Sequence, residues 1–246
     1  MRRPSWRDPL PWVAAITAAL VFGLPFAGPV FAAIFPQLDR PIYTRDPFWL
    51  LLLSHVELVA VSSIAATFVG VTGGVLVTRP IGAPFRGMVG TLASIGQAFP
   101  PVAVLAVAVP VLGFGALPAL IALALYGLLP VLENTISGLA QVPSAVRDAA
   151  TSTGMNSVQI LLNAELPAAA PVILAGVRTS VTINMGTAAL ASTVGVKSLG
   201  LPIIIGLNSE NTAYVIQGAL LVGALALTVD LVFGRLVEMA QRWKRP

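Results

Sequence analysis

The 246-residue chain contains no cysteine and a single histidine, His55. Without thiols it can form no disulfide, no thiolate nucleophile and no cysteine-ligated metal site. One imidazole cannot build a histidine cluster, so His55 reads as a polar residue near the end of an apolar segment, with a proton relay as the alternative. Charge is scarce too: 10% of residues are Asp, Glu, Lys or Arg, against about 25% in an ordinary soluble domain. Residues 9–38, 58–78, 87–132 and 211–229 carry none at all. No Walker A loop is present. The cluster GVTGG at Gly70–Gly74 lacks the Lys and Ser/Thr that would follow it, and its Gly70 and Gly74 instead suit close helix packing. HExxH and GxSxG are missing as well. The only lysines are Lys197 and Lys244, neither placed for a Ser–Lys dyad in a membrane core. These absences disfavour an enzyme.

What is abundant is apolar surface. Hydrophobic residues make up 57% of the chain, and the mean hydropathy is +0.89. A spanning helix needs roughly 20 mostly apolar residues, and the long runs do not alternate as barrel strands would. The fold class is therefore all-α, a polytopic membrane protein with about six transmembrane helices. We place them at 12–35, 54–77, 87–111, 117–136, 169–193 and 212–236, with a turn at Gly113–Gly115. The first run, Val13 to Phe35, exceeds the length of a signal-peptide core and reads as a retained span broken around Pro25, Gly28 and Pro29.

Basic residues fix the orientation. Arg2, Arg3, Arg7, Arg79, Arg86, Arg147, Arg235, Arg242, Lys244 and Arg245 fall on one side, and Arg40, Arg45 and Lys197 on the other. The richer side is cytoplasmic, which puts both termini in the cytoplasm. The net charge of +4 reflects this bias, since the basic residues are scattered at span ends, and a nucleic-acid partner is not expected. Trp6, Trp12, Trp49 and Trp243 lie near span ends, as membrane-interface aromatics do. External loops 36–53 and 194–211 are too short for a separate ligand-binding domain.

One cytoplasmic stretch is polar: VPSAVRDAATSTGMNSVQILLNAELPAAAP, from Val142 to Pro171. Pro143 and Ser144 signal a helix start. Gly154 can take φ > 0 and end that helix. Asn156 and Gln159 have capping-box spacing, opening a second short helix over Val158–Leu162. Pro167 and Pro171 suit the first turn of the next span. The product is a helical elbow offering Ala145, Ala149 and Ala150 for close approach and Val158, Leu161 and Leu162 as apolar knobs. It is either a dock for a soluble partner or a solvated linker.

DAATSTG…LP, with Asp148, Ala149, Ala150, Gly154, Leu166 and Pro167, resembles the EAA motif (EAAxxxG…IxLP) of type I ABC importer permeases. Asp148 stands for the usual Glu and Ala164 for Ile. The stretches GQAFPPVAVLAVAVPVLGFGALPALIALALYGLLPVLENT and ELPAAAPVILAGVRTSVTINMGTAALASTVG resemble the osmoprotectant subfamily, which carries glycine betaine, choline and carnitine. PFAGPVFAAIFPQLDRPIY and PIIIGLNSENTAYVIQGALL are most like its Yeh-type branch. The resemblance implies a permease subunit in the bacterial inner (cytoplasmic) membrane, with its elbow, 142–168, seated in an ATPase. Residues 51–238 would form the transmembrane domain, 1–50 an extra helix with an external loop, and 239–246 a basic tail. Implied partners are ABC ATPase subunits, which would bind ATP and Mg in place of this chain, a second permease (more readily a different one than a copy) and a periplasmic or lipid-anchored substrate-binding protein. A permease for another small solute, such as an amino acid, is the alternative. A secondary carrier would call for midplane acids and inverted repeats, neither of which is seen.

Intramembrane charges are costly and mark functional candidates. Glu57 reads as interfacial, near the outer end of the second span. Glu133 and Arg178 flank the elbow and either pair or snorkel separately. Asp230 lies near a cytoplasmic end. Ser180, Asn184 and Thr187 share a helical face, either lining the solute path or bonding neighbouring helices. Phe99, Pro100 and Pro101 break the third span. No aromatic cluster suited to a quaternary ammonium lies mid-membrane, which assigns selectivity to the binding protein.

Overall fold

A computed structural model describes residues 8–242. Among them every regular element is helical. Five helical stretches are long and apolar enough to cross a membrane: Pro9–Phe26, Phe48–Val77, Ala116–Ala140, Ser157–Val194 and Thr212–Gln241. A sixth crossing requires the bent pair Ala83–Ala98 and Pro101–Leu112. Trp6, Trp243 and the basic residues at 2, 3, 7, 244 and 245 lie outside the described residues.

The helices are α1 (Pro9–Gly23), α2 (Gly28–Ile34), α3 (Phe48–Val77), α4 (Arg86–Ala98), α5 (Pro101–Leu112), α6 (Ala116–Ala140), α7 (Ser144–Ser152), α8 (Ser157–Ile160), α9 (Leu166–Thr187), α10 (Leu201–Asn208) and α11 (Thr212–Arg242). The first predicted span is broken where expected, with a 3-10 turn at Leu24–Phe26 between α1 and α2. The third is not one helix. Phe99 and Pro100 are extended, with ψ near 133° and 136°, because a residue before proline avoids the helical region and two prolines follow each other here. Gly113 and Gly115 take positive φ at the expected turn. α3 begins at Phe48, six residues before the expected start, so Glu57 sits well inside the helix rather than at its outer end. α11 runs unbroken to Arg242, so the segment from 239 continues the last helix as far as it is described.

Chain contacts divide the molecule into two units. The first takes the chain up to Ser62, Pro100–Leu123 and Val181–Val232. Here α1 meets α11 through a hydroxyl pair, Thr17 and Thr228, 2.8 Å apart. His55 is fully buried and shares a 3.0 Å hydrogen bond with the Met185 carbonyl, so it is a helix-packing group. The expected loop 194–211 contains α10. It packs so closely that a Cβ on Gly218 would come within 2.5 Å of Ile203, and one on Gly200 within 1.9 Å of the Ala189 carbonyl. The segment before α3 is tied down: Gln217 accepts from the Tyr43 amide (3.1 Å) and donates to Pro41 O (2.7 Å). Asn211 donates to Arg40 O at 2.9 Å, and Lys197 pairs with Asp46 at 2.7 Å.

The second unit holds Ser63–Phe99, Ala124–Ser180 and the chain from Phe233. In a lipid-like surrounding, helices associate through close backbone approach rather than hydrophobic burial, and the GVTGG cluster does this. A Cβ on Gly70 would lie 2.9 Å from Val131, and one on Gly74 2.7 Å from Thr135. Gly176 of α9 is pressed as tightly on Pro130 and Asn134 of α6. Pro130 has no N–H, which leaves the Tyr126 carbonyl without its helical donor. The Gln97 side chain from α4 fills that place at 3.3 Å, and the Tyr126 hydroxyl donates to the Phe99 carbonyl.

Candidate functional site

The elbow lies wholly in the second unit. α7 starts directly after Pro143 and ends at Ser152. Gly154, at φ 80°, turns the chain. Asn156 Oδ1 accepts from the amides of Val158 (3.1 Å) and Gln159 (2.9 Å), while Gln159 Oε1 accepts from the Asn156 amide at 2.9 Å. This is the expected capping box, closed in both directions. α8 then widens into a π-turn over Leu161–Glu165. Pro167 cannot donate to Asn163, and its ring would crowd that carbonyl in a regular helix; the wider turn relieves the clash. Pro171 sits inside α9 rather than in a first turn of its own.

The turn delivers Glu165 into the interior, its side chain 4% exposed. Arg147 Nε on α7 donates to Glu165 Oε1 at 2.6 Å, and its Nη2 donates to the Leu139 carbonyl at 2.9 Å. Arg79, just beyond α3, places Nη1 2.7 Å from Glu165 Oε2, an ion pair off the line of a good hydrogen bond. One carboxylate thus ties the elbow helix, the end of α3 and the root of α9. Apolar packing reinforces it: Val146, Leu161 and Leu166 lie on a cluster of Leu139, Val142, Ala169 and Ile173. Sequence reasoning assigned no role to Arg79, Arg147 or Glu165 in this contact. The signal available was a carboxylate and two arginines in otherwise apolar surroundings.

The elbow residues divide into two sets. Ala145, Asp148 and Ala149 are exposed, as are Val158 at 63% and Leu162 at 55%. Ala150 and Leu161 belong to the other set. Ala150 is 7% exposed and Leu161 packs on the core, so neither offers the outward surface expected of it. Leu166 anchors the root of α9, and Pro167 is exposed beside it.

The expected Glu133–Arg178 pair does not form among the described residues. The face of α6 that meets α9 carries Pro130, Asn134 and Gly138. Glu133 is one position away, about 100° around the helix, and lines a hollow with Arg86, Ser94, Ile136 and Ser137. Arg178 lies instead against Gly234 of α11, where a Cβ would touch its guanidinium at 3.4 Å. Ser180 and Asn184 are 0% exposed, so their shared face turns into helix packing in a single chain. Thr187 is half-buried beside a small space lined by Pro101, Leu105 and Leu190. Asp230 accepts from Thr182 at 3.3 Å. No group of three or more metal-ligating side chains occurs among the described residues.

Comparison with known proteins places this geometry. Residues 70–245 match the family described as binding-protein-dependent transport system inner membrane component. The osmoprotectant import permease protein OsmY of Salmonella typhimurium is 40% identical over 184 residues, covering 74% of this chain and 78% of that protein. The choline transport system permease protein OpuBB of Bacillus subtilis is 39% identical over 178 residues, covering 72% and 81%. A solved structure of the MetNI methionine ABC transporter in inward-facing form contains a chain 21% identical, with a TM-score of 0.68 over 80% of this chain and 99% of that one, and shares its fold. The chain belongs to the inner-membrane component family of binding-protein-dependent transport systems, as a permease subunit of an ABC importer.

Proposed function

We propose that this chain forms half of the transmembrane path of an ATP-driven importer for osmoprotectants such as glycine betaine, choline or carnitine. The observation that carries the mechanism is the elbow. It is capped at Asn156, turned at Gly154 and bolted to the spans through Glu165, while Asp148, Ala149, Val158 and Leu162 stay on its surface. A rigid lever with an exposed mixed apolar and acidic patch suits docking on an ATPase subunit, whose ATP-driven movement would reach α3 and α9 through Arg79, Arg147 and Glu165. ATP and Mg would be held by that partner. A second, different permease would complete the path, and a periplasmic or lipid-anchored binding protein would deliver the solute. The excess of Arg and Lys on the elbow's side supports a cytoplasmic location for both termini. Transport class and subunit role both draw support from relatives named as osmoprotectant, choline and carnitine permeases.

The test is solute-stimulated ATP hydrolysis by the complete complex in proteoliposomes, comparing glycine betaine, choline, carnitine and amino acids. Stimulation by the quaternary amines is expected. Stimulation by amino acids alone would replace the substrate class, and hydrolysis by the pure chain would overturn the subunit role.

A further inference from the structure

We propose that the hollow between α4 and α6 binds zwitterionic solutes at the elbow end of the membrane, with Glu133 meeting the solute's cationic head and Arg86 its carboxylate. The inference rests on the osmoprotectant reading and narrows it from quaternary amines in general to those that also carry an acid group.

In sequence, Arg86 and Glu133 are the two charges that bracket the charge-free run 87–132. The fold brings both to one hollow of about 680 Å³, inside the roughly 300–1,000 Å³ range of small-molecule sites. Both are exposed, and no ion pair joins them among the described residues. Opposite charges that line the same hollow without neutralising each other present two poles to a ligand. A carboxylate on a spanning helix is tolerated when it faces a water-filled cavity, and Glu133 lines an open hollow.

The wall between the poles is mixed: Ile95, Ala98 and Ile136 give it an apolar majority that suits the methyl groups of a quaternary amine, and hydroxyls interrupt it. Thr91 and Ser94 donate their hydroxyl hydrogens to the carbonyls of Gly87 and Gly90, at 2.9 and 2.8 Å. Their oxygen lone pairs are left as acceptors beside the hollow, and Ser137 adds a third hydroxyl. A quaternary ammonium has no N–H to donate, so a diffuse negative surface of carboxylate and lone pairs suits it better than a directed acceptor. Glu133 lies about 10 Å from the end of α6 at Ala140, at 1.5 Å per residue. A solute held there has passed most of the span and is next to the elbow. An open, solvent-screened site of this kind holds weakly and releases readily, as an exit site requires.

The test uses the complete transporter in proteoliposomes loaded inside with ATP and either glycine betaine or choline, reading initial uptake of labelled glycine betaine. Internal glycine betaine should inhibit at a concentration about two- to fivefold below that of internal choline, the difference expected of one solvent-screened ionic contact. Arg86→Gln should erase that difference, and Glu133→Gln should weaken inhibition by both. Arg86→Lys and Glu133→Asp, which keep the charges, should retain most of the effect and serve if the Gln variants fail to assemble. Equal inhibition by the two solutes in the wild type, no inhibition, or Gln variants that behave as wild type would each overturn the site while leaving the osmoprotectant reading intact. A wild-type complex that accumulates none of glycine betaine, carnitine or choline would remove that reading and the site with it.

Discussion

Replacing Glu165 by Gln keeps its shape and removes its charge, leaving Arg79 and Arg147 facing each other across a neutral amide. The expected cost follows from exposure. Losing one partner of a fully buried ion pair costs about 3–5 kcal/mol, while an exposed pair contributes about 0–1 kcal/mol. Glu165 is buried at 4%, but the arginine side chains are 32% and 39% exposed, so water screens them in part. An intermediate figure of about 1–3 kcal/mol applies, and it falls on the attachment of the elbow rather than on the spans. Hydrogen exchange of the α7 amides in the assembled complex reads this directly, and should accelerate by roughly 5- to 150-fold. Solute uptake per ATP hydrolysed should fall in step, because a lever loosened at its root transmits less motion. The Arg79→Gln and Arg147→Gln variants should each do less, since one cation remains on the carboxylate. An unchanged exchange rate over Ser144–Ser152, or a loose elbow with full coupling, would refute the reasoning.

Four further outcomes follow from the same geometry. Gly154→Ala has open space around it but a φ of 80°, so strain of order 1 kcal/mol should lower the melting temperature without altering packing, and Gly154→Asn should be milder. Ala149→Glu, at an exposed position, should leave insertion and thermal stability unchanged while the ATPase no longer copurifies; retention of a tightly bound ATPase would exclude this surface as the dock. Gly176→Ala puts a methyl 2.6 Å from the Pro130 carbonyl, and overpacking of about 1–3 kcal/mol should appear as reduced thermal stability in detergent. The Lys197 hydrogen bond holds the Asp46 carboxyl below its ordinary value of 3.8. That contribution is complete above the ordinary value and is lost as pH falls through the depressed one. Protection of the 40–47 segment should therefore be flat near neutrality and fall only in acid, and Lys197→Met should remove the step.

What could be read in the sequence was local. Gly154, the Asn156–Gln159 capping box and the helix start at Pro143 are set by neighbours within four residues, and all three stand as expected. Close packing at Gly70 and Gly74 was legible because only a missing Cβ permits it. What failed was assignment of faces inside apolar helices. A helix apolar all round carries no stripe to orient it, so the sequence could not decide whether Glu133 pairs with Arg178 or stands apart, and Ala150 could not be told from Ala149. The Arg79–Glu165 pair joins residues far apart in the chain, and no periodicity links them. α10 was hidden because an apolar segment of eight residues is shorter than any span.

The proline in α6 has one more effect. A helix that gives up one of its own hydrogen bonds at Pro130 exposes a carbonyl that another element can grip, and Gln97 grips it. The defect is a socket. Pro130→Ala would repair α6 as an isolated helix and reclaim the Tyr126 carbonyl for its own ladder, leaving the Gln97 amide without its acceptor and α4 unlatched. The substitution that looks most stabilising by helix propensity alone should therefore loosen the wall beside Phe99, where the third crossing breaks.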